Sequence, residues 1–472
     1  MIGIQIGAVS FVDEGVAQVL DAVQARAGVN TLFLPVMAFN RGLSGRQIPG
    51  EPLPDHGVQA YDTDTFRGGY YARIHPEYYR DSAIDPRDVR APELGDFDVL
   101  ASVLPEAHAR GMTVIAFLAD NFRRDIPHAE TALAEDVHGR AMGEVCFNKP
   151  SYQAFLHGMV EDVIRSYEID GLLWRTEQLG PMSNVLDLHH TGNERDAGCF
   201  CSYCAARASD GGIDVDQARA GYRALEAFRK EAKAGRRPTD GYYVTFWRIL
   251  LTYPEILQWE QMQLDSLRAM MQAVYARAKS IEPDLPVGWA LASRQIYHPI
   301  YRAQQDIAAI APYSDFLKVA LYSTVSGQRV SQFAESATRT AFADLPPDEF
   351  VQFVYRVMGY EGEAPYEELR ATGLSPGFIS RETQRALAAA EGTNTQIWPA
   401  IDIGLPARPF GKPKDGYVKT TPERVKHATL AVLQAGADGI ILARKYAEMN
   451  LTDLAGVGAA LGELGYESSS QR

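Results

Sequence analysis

The chain has 472 residues, of which 46% are hydrophobic and 22% are charged, and its formal net charge is −14. A surface this acidic repels phosphate backbones and anionic lipid, which disfavours nucleic acids and membrane surfaces as partners. No basic segment precedes an apolar one at the N-terminus and no run of about 18 apolar residues occurs, so we expect a cytoplasmic protein.

Eight short apolar segments alternate with amphipathic helical patterns along the chain, as in repeated βα units. Gly28 follows the first helical pattern, where a left-handed cap is expected. Thr421 and Pro422 are typical of the cap and first position of the last such helix. The predicted strands are 2–9, 31–39, 113–120, 171–177, 286–292, 316–323, 395–402 and 439–444.

The simplest assembly of these units is a closed (β/α)8 barrel, so the predicted fold class is α/β. An open doubly wound sheet is disfavoured because no glycine-rich phosphate-binding turn follows the first strand. We expect one barrel domain over residues 1–466 and a disordered tail over 467–472. Two connections are too long for simple loops. Residues 40–93, after strand two, should form a lid over the barrel mouth, and residues 178–286, after strand four, an inserted subdomain with helices at 215–233 and 244–281.

The only four cysteines form one pattern. Cys199, Cys201 and Cys204 fit C-x-C-x-x-C, and Cys146 lies upstream in CFNKP. Four thiolates are the ligands of a closed tetrahedral zinc site, and thiols stay reduced in the cytoplasm. We therefore predict a structural zinc site within the insertion, with unrelated thiols or one disulfide as the alternatives.

The two cysteine motifs also carry a family resemblance. The segment C-x-N-x-P-x-Y from Cys146 to Tyr152, together with the C-x-C-x-x-C motif, resembles glycoside hydrolase family 42, the zinc-containing β-galactosidases. Residues 169–174 (IDGLLW) and 437–442 (ADGIIL) are more similar to a set of barrel proteins described as hypothetical glycosyl hydrolases. The resemblance covers roughly residues 110 to 445, and it implies a (β/α)8 barrel, a zinc near the mouth and a carbohydrate substrate.

Barrel enzymes hold their active sites at the C-terminal ends of the strands, so we searched those positions for polar and aromatic residues. Aromatic rings cover the apolar faces of a sugar, and polar groups bind its hydroxyls. The residues predicted to bind substrate are Asp120, Arg175, Trp289, Arg294, Lys318, Tyr322, Trp398, Arg444 and Glu448.

Two further features have an open interpretation. Lys318 shares one face of its strand with Phe316, Ala320 and Tyr322. If that face points inward, Lys318 is buried and needs a carboxylate; otherwise it emerges between outer helices. His189 and His190 lie in a polar segment, and we expect a solvated pair rather than a substrate contact.

Glycoside hydrolysis needs two carboxyl groups on opposite sides of one bond. The resemblance places such a pair at the ends of strands four and seven, where this chain has Glu177 and Asp402. The family has Asn-Glu at the first position and Glu at the second. Glu194, which follows Asn193, is therefore an alternative acid/base, and Asp120 and Glu448 are in reserve. Asp402 could instead bind a hydroxyl or cap a helix.

These residues predict a glycosidase that acts on a small intracellular glycoside or oligosaccharide, exo-acting because of the lid. A carboxyl separation of about 5–5.5 Å would retain the anomeric configuration, and about 6.5–9.5 Å would invert it. The resemblance favours retention, while the shorter Asp402 leaves inversion open. The alternatives are an isomerase or lyase acting on a sugar or sugar acid, and a sugar-binding protein without catalysis. A homo-oligomer also stays open.

Overall fold

Eight parallel strands close into a barrel. The computed structural model describes residues 1–39, 55–57, 67–119, 124–190, 195–404 and 418–466. Each strand pairs with its neighbours in chain order, and the first strand pairs with both the second and the last, which closes the sheet. We label the strands β1 (Ile2–Gln5), β2 (Thr31–Phe39), β3 (Thr113–Ala119), β4 (Gly171–Arg175), β5 (Val287–Leu291), β6 (Phe316–Ala320), β7 (Gln396–Asp402) and β8 (Ile440–Ala443).

Helices surround this barrel, and none of those in the described ranges is long and apolar enough to cross a membrane. Three short strands, Gly68–Tyr70, Leu133–Glu135 and Ala141–Val145, lie outside the barrel wall. The α-helices are Ala8–Glu14, Val16–Ala27, Val99–His108, Pro150–Ser166, Pro181–Val185, Ser202–Asp210, Val215–Lys233, Tyr242–Thr252, Glu255–Ile281, Pro299–Gln304, Ile307–Ile310, Ser323–Ala337, Pro347–Met358, Leu369–Thr372, Pro376–Ala389, Pro422–Gln434 and Leu451–Glu463.

The predicted barrel is confirmed, and each predicted strand overlaps one barrel strand. The two predicted helix caps, Gly28 and Thr421, are also observed. Gly28 ends its helix in the left-handed region at φ 62°, where a Cβ would be strained. Thr421 caps the helix Pro422–Gln434 by accepting a hydrogen bond from the backbone N–H of Arg424 at 3.3 Å.

Two predicted elements differ most from the structure. The first strand ends at Gln5 rather than at residue 9, because the apolar run continues into the helix Ala8–Glu14, whose first four residues are buried. The helix predicted over 244–281 is two helices that meet at Tyr253 and Pro254. Proline disfavours the helical conformation of the residue before it, so the chain turns there.

Aromatic side chains fill the interior of the barrel. Trp398 stacks on Phe316, with ring centroids 4.1 Å apart, and meets the edge of Phe33 at 6.1 Å. Its indole Nε1 donates to Gln396 at the start of β7, so Trp398 belongs to this apolar filling rather than to the mouth. Trp289 was also misplaced, because strand alternation turns it outward, where its indole donates to the carbonyl of Tyr313.

The two long connections are described in part. Residues 40–54 and 58–66 of the expected lid, and the expected disordered tail 467–472, lie outside the described residues. Within the lid segment, Asp55 accepts hydrogen bonds from the backbone N–H groups of Leu451 and Thr452 beyond β8. The helix Glu255–Ile281 of the insertion packs on Pro150–Ser166 and so takes the place of the barrel helix between β4 and β5.

Candidate active site at the mouth of the barrel

Glu177 lies just beyond the end of β4, between two arginines. Its carboxylate forms an ion pair with Arg175, the last residue of β4. Its backbone carbonyl accepts a hydrogen bond from Nη1 of Arg294, which follows β5. Both the side chain and the main chain of Glu177 are therefore held, while the side chain stays 36% exposed at the mouth.

Asp402, the last residue of β7, is only 4% exposed. Its Oδ1 accepts from the backbone N–H of Thr324 at 3.2 Å, and its Oδ2 from that of Val325 at 2.7 Å. These amides belong to the first turn of the helix Ser323–Ala337, so the carboxylate caps that helix from a neighbouring strand. Burial raises the pKa of Asp402, and the two amides act against this shift. The helix-capping alternative thus describes the contacts that Asp402 makes.

Lys318 points into the barrel from the middle of β6 and is 3% exposed. Its Nζ donates to Oε1 of Gln5 on β1 at 2.8 Å and lies 5.4 Å from the ring centre of Phe117 on β3. No carboxylate of the described residues is paired with it, so the expected acidic partner was wrong and an amide oxygen takes its place. Burial lowers the pKa of Lys318 to about 7, and Arg175 acts in the same direction.

Tyr322 lies at the centre of a group of arginines. The guanidinium of Arg329 lies over its ring, 5.8 Å from the ring centre, and Arg175 and Arg444 are close enough to influence its titration. Burial raises the pKa of Tyr322, and the three arginines oppose this shift. Beyond β8, Nζ of Lys445 lies 3.8 Å from Oε1 of Glu448, whose carboxylate also acts on Arg444.

A second polar group adjoins Arg294. Nδ1 of His190 is hydrogen-bonded to the hydroxyl of Tyr297 at 2.7 Å. Burial, with Arg329 and Arg294, lowers the pKa of His190 well below its ordinary value, so the ring is neutral at pH 7. His189 is buried and His190 is half-buried, so the expected solvated pair was wrong.

Glu144 belongs to the same polar group. It pairs with Arg195 at 2.9 Å, and burial raises its pKa although Arg195 and Arg294 lower it. A carboxyl group of this kind in a cleft is a candidate general acid.

A cavity of about 270 Å³ opens beside the helix that Asp402 caps. Its lining includes Ser323, the first residue of that helix, together with Glu363, Arg424 and His427. Burial lowers the pKa of Arg424, and the Asp402 carboxylate acts against this shift, so the cavity lies within electrostatic reach of Asp402.

The four cysteines meet in one buried cluster, as the spacing predicted. Their sulfur atoms all lie within 4.8 Å of one another, and Sγ of Cys146 is 3.7 Å from that of Cys201 and 3.5 Å from that of Cys204. A tetrahedral site with zinc–sulfur bonds of about 2.3 Å has sulfur atoms about 3.8 Å apart. The cluster therefore has the ligands and the size to bind a metal ion.

Hydrogen-bond donors surround these sulfur atoms. Nδ2 of Asn148 donates to Cys204 at 3.2 Å, and the backbone N–H of Glu135 donates to Cys199 at 3.4 Å. Donors at these positions stabilise thiolates and orient them toward a metal.

The structure brings together most of the predicted mouth residues, namely Arg175, Glu177, Arg294, Tyr322, Asp402, Arg444 and Glu448. Lys318 lies deeper in the barrel, and Asp120 and Glu194 lie outside the described residues. The strand-end search missed Gln5, Glu144, Arg329 and Arg424. Gln5 ends β1 and could have been found by the same rule, whereas the others lie on helices or on a strand outside the barrel.

No protein-family model matches the chain, and no curated protein matches it. Solved structures share its fold. The α-L-fucosidase isoenzyme 2 from Paenibacillus thiaminolyticus is 13% identical, with a TM-score of 0.50, over 98% of this chain and 49% of that one. The β-galactosidase from the psychrophilic Marinomonas ef1 is 12% identical, with a TM-score of 0.51, over 99% of this chain and 61% of that one. This chain thus spans about half the length of the fucosidase, and the likeness shows a common (β/α)8 fold.

Proposed function

We propose that this protein is a glycosidase that hydrolyses a small glycoside or oligosaccharide at the mouth of the barrel. The observation that carries the proposal is the placement of Glu177, just beyond β4, and of Asp402, at the end of β7, beside one group of arginines around Tyr322. The fold that this chain shares with a fucosidase and a β-galactosidase supports the same reaction class.

Glu177 is our candidate for the general acid/base. The reaction needs a carboxyl group that reaches the leaving oxygen and later activates water. Glu177 is partly exposed at the mouth, and the contacts with Arg175 and Arg294 fix its position. Glu144 competes for this role, because burial raises the pKa of its carboxyl.

Asp402 is our candidate for the nucleophile, or for the base in an inverting reaction. Each carboxylate oxygen can accept more than one hydrogen bond, so the bonds from Thr324 and Val325 leave an acceptor position on each. The same bonds orient the carboxylate, which favours attack from a fixed position. Capping alone remains the competing role, and the Asp402→Asn variant discussed below separates the two.

We also propose that the cysteine cluster binds a structural zinc ion. Cys146, Cys199, Cys201 and Cys204 would be its four ligands, with Asn148 and the backbone amide of Glu135 donating to the sulfur atoms. Four thiolates close the coordination shell, so this metal would hold the insertion against the barrel and leave no position for substrate. The carboxylates alone would therefore catalyse hydrolysis, and the metal would take no part in it.

A panel of 4-nitrophenyl glycosides tests the reaction class. We expect release of 4-nitrophenol from at least one sugar, and proton NMR of the first product should show a retained anomeric configuration. Inversion would keep the reaction and change the role of Asp402 to general base. A folded, metal-replete protein that hydrolyses no glycoside would overturn the proposal.

A second candidate function is isomerisation or elimination on a sugar acid. Lys318 favours it, because an amine with a pKa near 7 can accept a proton at neutral pH. The two functions differ in product, since elimination leaves an unsaturated sugar that absorbs in the ultraviolet and hydrolysis does not.

A further inference from the structure

The mouth of the barrel holds an excess of positive charge. Four arginines, Arg175, Arg294, Arg329 and Arg444, come from four different segments of the chain and act electrostatically on one another. Burial lowers the pKa of Arg175 and of Arg444 to about 10, and the neighbouring guanidinium groups act in the same direction. Like charges this close are stable only if anions compensate them.

No carboxylate of the described residues forms an ion pair with Arg294 or Arg329. Glu177 is paired with Arg175, Glu448 acts on Arg444, and Asp402 accepts its hydrogen bonds from backbone amides. Arg329 donates to the hydroxyl of Ser293 and lies over the ring of Tyr322, and both of these partners are neutral.

Of the four arginines, Arg294 has the strictest requirement for a further hydrogen-bond acceptor. It is 6% exposed, and its Nη1 donates to the carbonyl of Glu177. Its Nε is buried and has no hydrogen-bond partner among the described residues. A buried donor without a partner is unfavourable, and more so when it is charged, so this atom favours a ligand that supplies an acceptor.

We propose that the substrate of this site is an acidic sugar, with the carboxylate of a uronic acid bound by Arg294 and Arg329. The inference rests on the proposed glycosidase function and names its substrate class. The Nε–Nη2 edge of a guanidinium presents two parallel N–H donors, which match the two coplanar oxygens of a carboxylate. Glu177, bound to the same Arg294, lies next to that position, where a glycosidic oxygen of the same sugar would be protonated.

The test compares the 4-nitrophenyl β-glucuronide, α-galacturonide and their neutral counterparts as substrates of the whole protein, with the 6-phosphate and 6-sulfate glycosides as further arms. We expect the uronides to have the highest kcat/KM, and added salt to raise their KM more than that of the neutral glycosides. A preference for the neutral sugars would overturn the inference and leave the glycosidase proposal intact. A preference for the phosphate or sulfate would overturn the assignment to a carboxylate.

Variants of Arg329 locate the anion. Arg329→Gln should lower the ratio of uronide to neutral kcat/KM about 10- to 100-fold, since it removes a charged hydrogen bond. Arg329→Lys should restore part of that ratio because it keeps the charge without the planar fork. Arg356→Gln, at an exposed position of the helix Pro347–Met358, is the matched control and should leave the ratio unchanged. An unchanged ratio in a folded Arg329→Gln protein would contradict the assignment.

Direct binding separates the two proposals. Calorimetric titration with free glucuronate and galacturonate, against glucose and galactose, requires no catalysis. If the uronates bind more tightly and no glycoside is hydrolysed, the acid-binding site stands and the glycosidase proposal fails. If glycosides are hydrolysed and the uronates bind no more tightly than the neutral sugars, the present inference fails alone.

Discussion

Lys318 reaches across the barrel to Gln5, with its Nζ 2.8 Å from the amide oxygen of that residue. The bond joins β6 to β1 below the mouth, and the ring of Phe117 on β3 lies beside the same Nζ. Burial lowers the pKa of this amine to about 7, with Arg175 acting in the same direction, and the neutral Gln5 compensates the positive charge poorly.

The stability of the protein should therefore depend on the charge of Lys318. Between pH 7 and about 10.4 the unfolded chain keeps a proton that the folded chain has released, so this group makes folding more favourable as pH rises. Its contribution to the free energy of unfolding should approach about 1.4 kcal/mol per pH unit over that interval.

Lys318→Met removes the pH dependence that this amine gives to the free energy of unfolding. It also lowers the stability by an amount that does not change with pH, because Gln5 loses its hydrogen-bond donor. Urea unfolding at about pH 7, 8.5 and 10 should show the variant losing stability relative to wild type as pH rises. Lys230→Met, at an exposed position of the helix Val215–Lys233, is the control and should track the wild type. Parallel curves for Lys318→Met and wild type would mean that Lys318 titrates as an ordinary lysine.

The cysteine cluster predicts one equivalent of bound zinc. Cys201→Ser should lose the metal, and the loss should lower the unfolding temperature more than it lowers kcat, because a closed site gives the metal a structural role. Elemental analysis, thiol titration and thermal unfolding check this together. A metal-free protein with four titratable thiols and undiminished stability would contradict the zinc assignment.

The fold could be predicted because each βα unit carries its own signal. Apolar runs of strand length alternate with helical periodicity, and caps such as Gly28 and Thr421 mark helix ends. At β1 one apolar run continues from the strand into the helix Ala8–Glu14, so the hydrophobic pattern does not show where the strand ends. The break before Pro254 was visible in the sequence, but the apolar periodicity on both sides of it concealed the turn.

The site was harder to predict, because strand ends alone do not say which way a side chain points. Trp289 lies in the middle of β5 and faces outward, since alternation decides its direction. Arg329 and Arg424 reach the mouth from helices, and helical positions carry no strand-end signal. The contacts of Asp402 with a neighbouring helix also depend on how the elements pack, which one sequence does not reveal.

Asp402→Asn separates catalysis from capping. The amide group offers one acceptor oxygen where the carboxylate offered two, so we expect a stability loss of about 0.5–2 kcal/mol from the weakened cap. A catalytic role adds a fall in kcat of several orders of magnitude.

Asp214→Ala is the matched control for this variant, because both amides of that cap bind the same Oδ1 and an Asn would keep them. Asp214 caps the helix Val215–Lys233 through the N–H groups of Asp216 and Gln217. Its replacement should cost similar stability and leave kcat unchanged. If both substitutions had equally small effects on kcat, Asp402 would be a helix cap without a catalytic role.

Glu177→Gln tests the general acid through the leaving group. The variant should hydrolyse substrates with poor leaving groups far more slowly than wild type, and activated aryl glycosides much less so, because a good leaving group needs no protonation. Glu144→Gln is the comparison, and we expect it to affect both substrate types alike. If Glu144→Gln shows the leaving-group dependence instead, Glu144 is the acid and our assignment of Glu177 is wrong.

The most direct test of the central claim is the hydrolysis rate of the double variant Glu177→Gln/Asp402→Asn on the best substrate of the wild-type protein. The account predicts that the folded, metal-replete double variant retains no measurable glycosidase activity, because both carboxylates of the reaction are gone. It also predicts that the double variant still binds the sugar, since the arginines around Tyr322 are intact. A double variant that hydrolyses the substrate at near wild-type rate would contradict the claim that these two carboxylates form the catalytic pair.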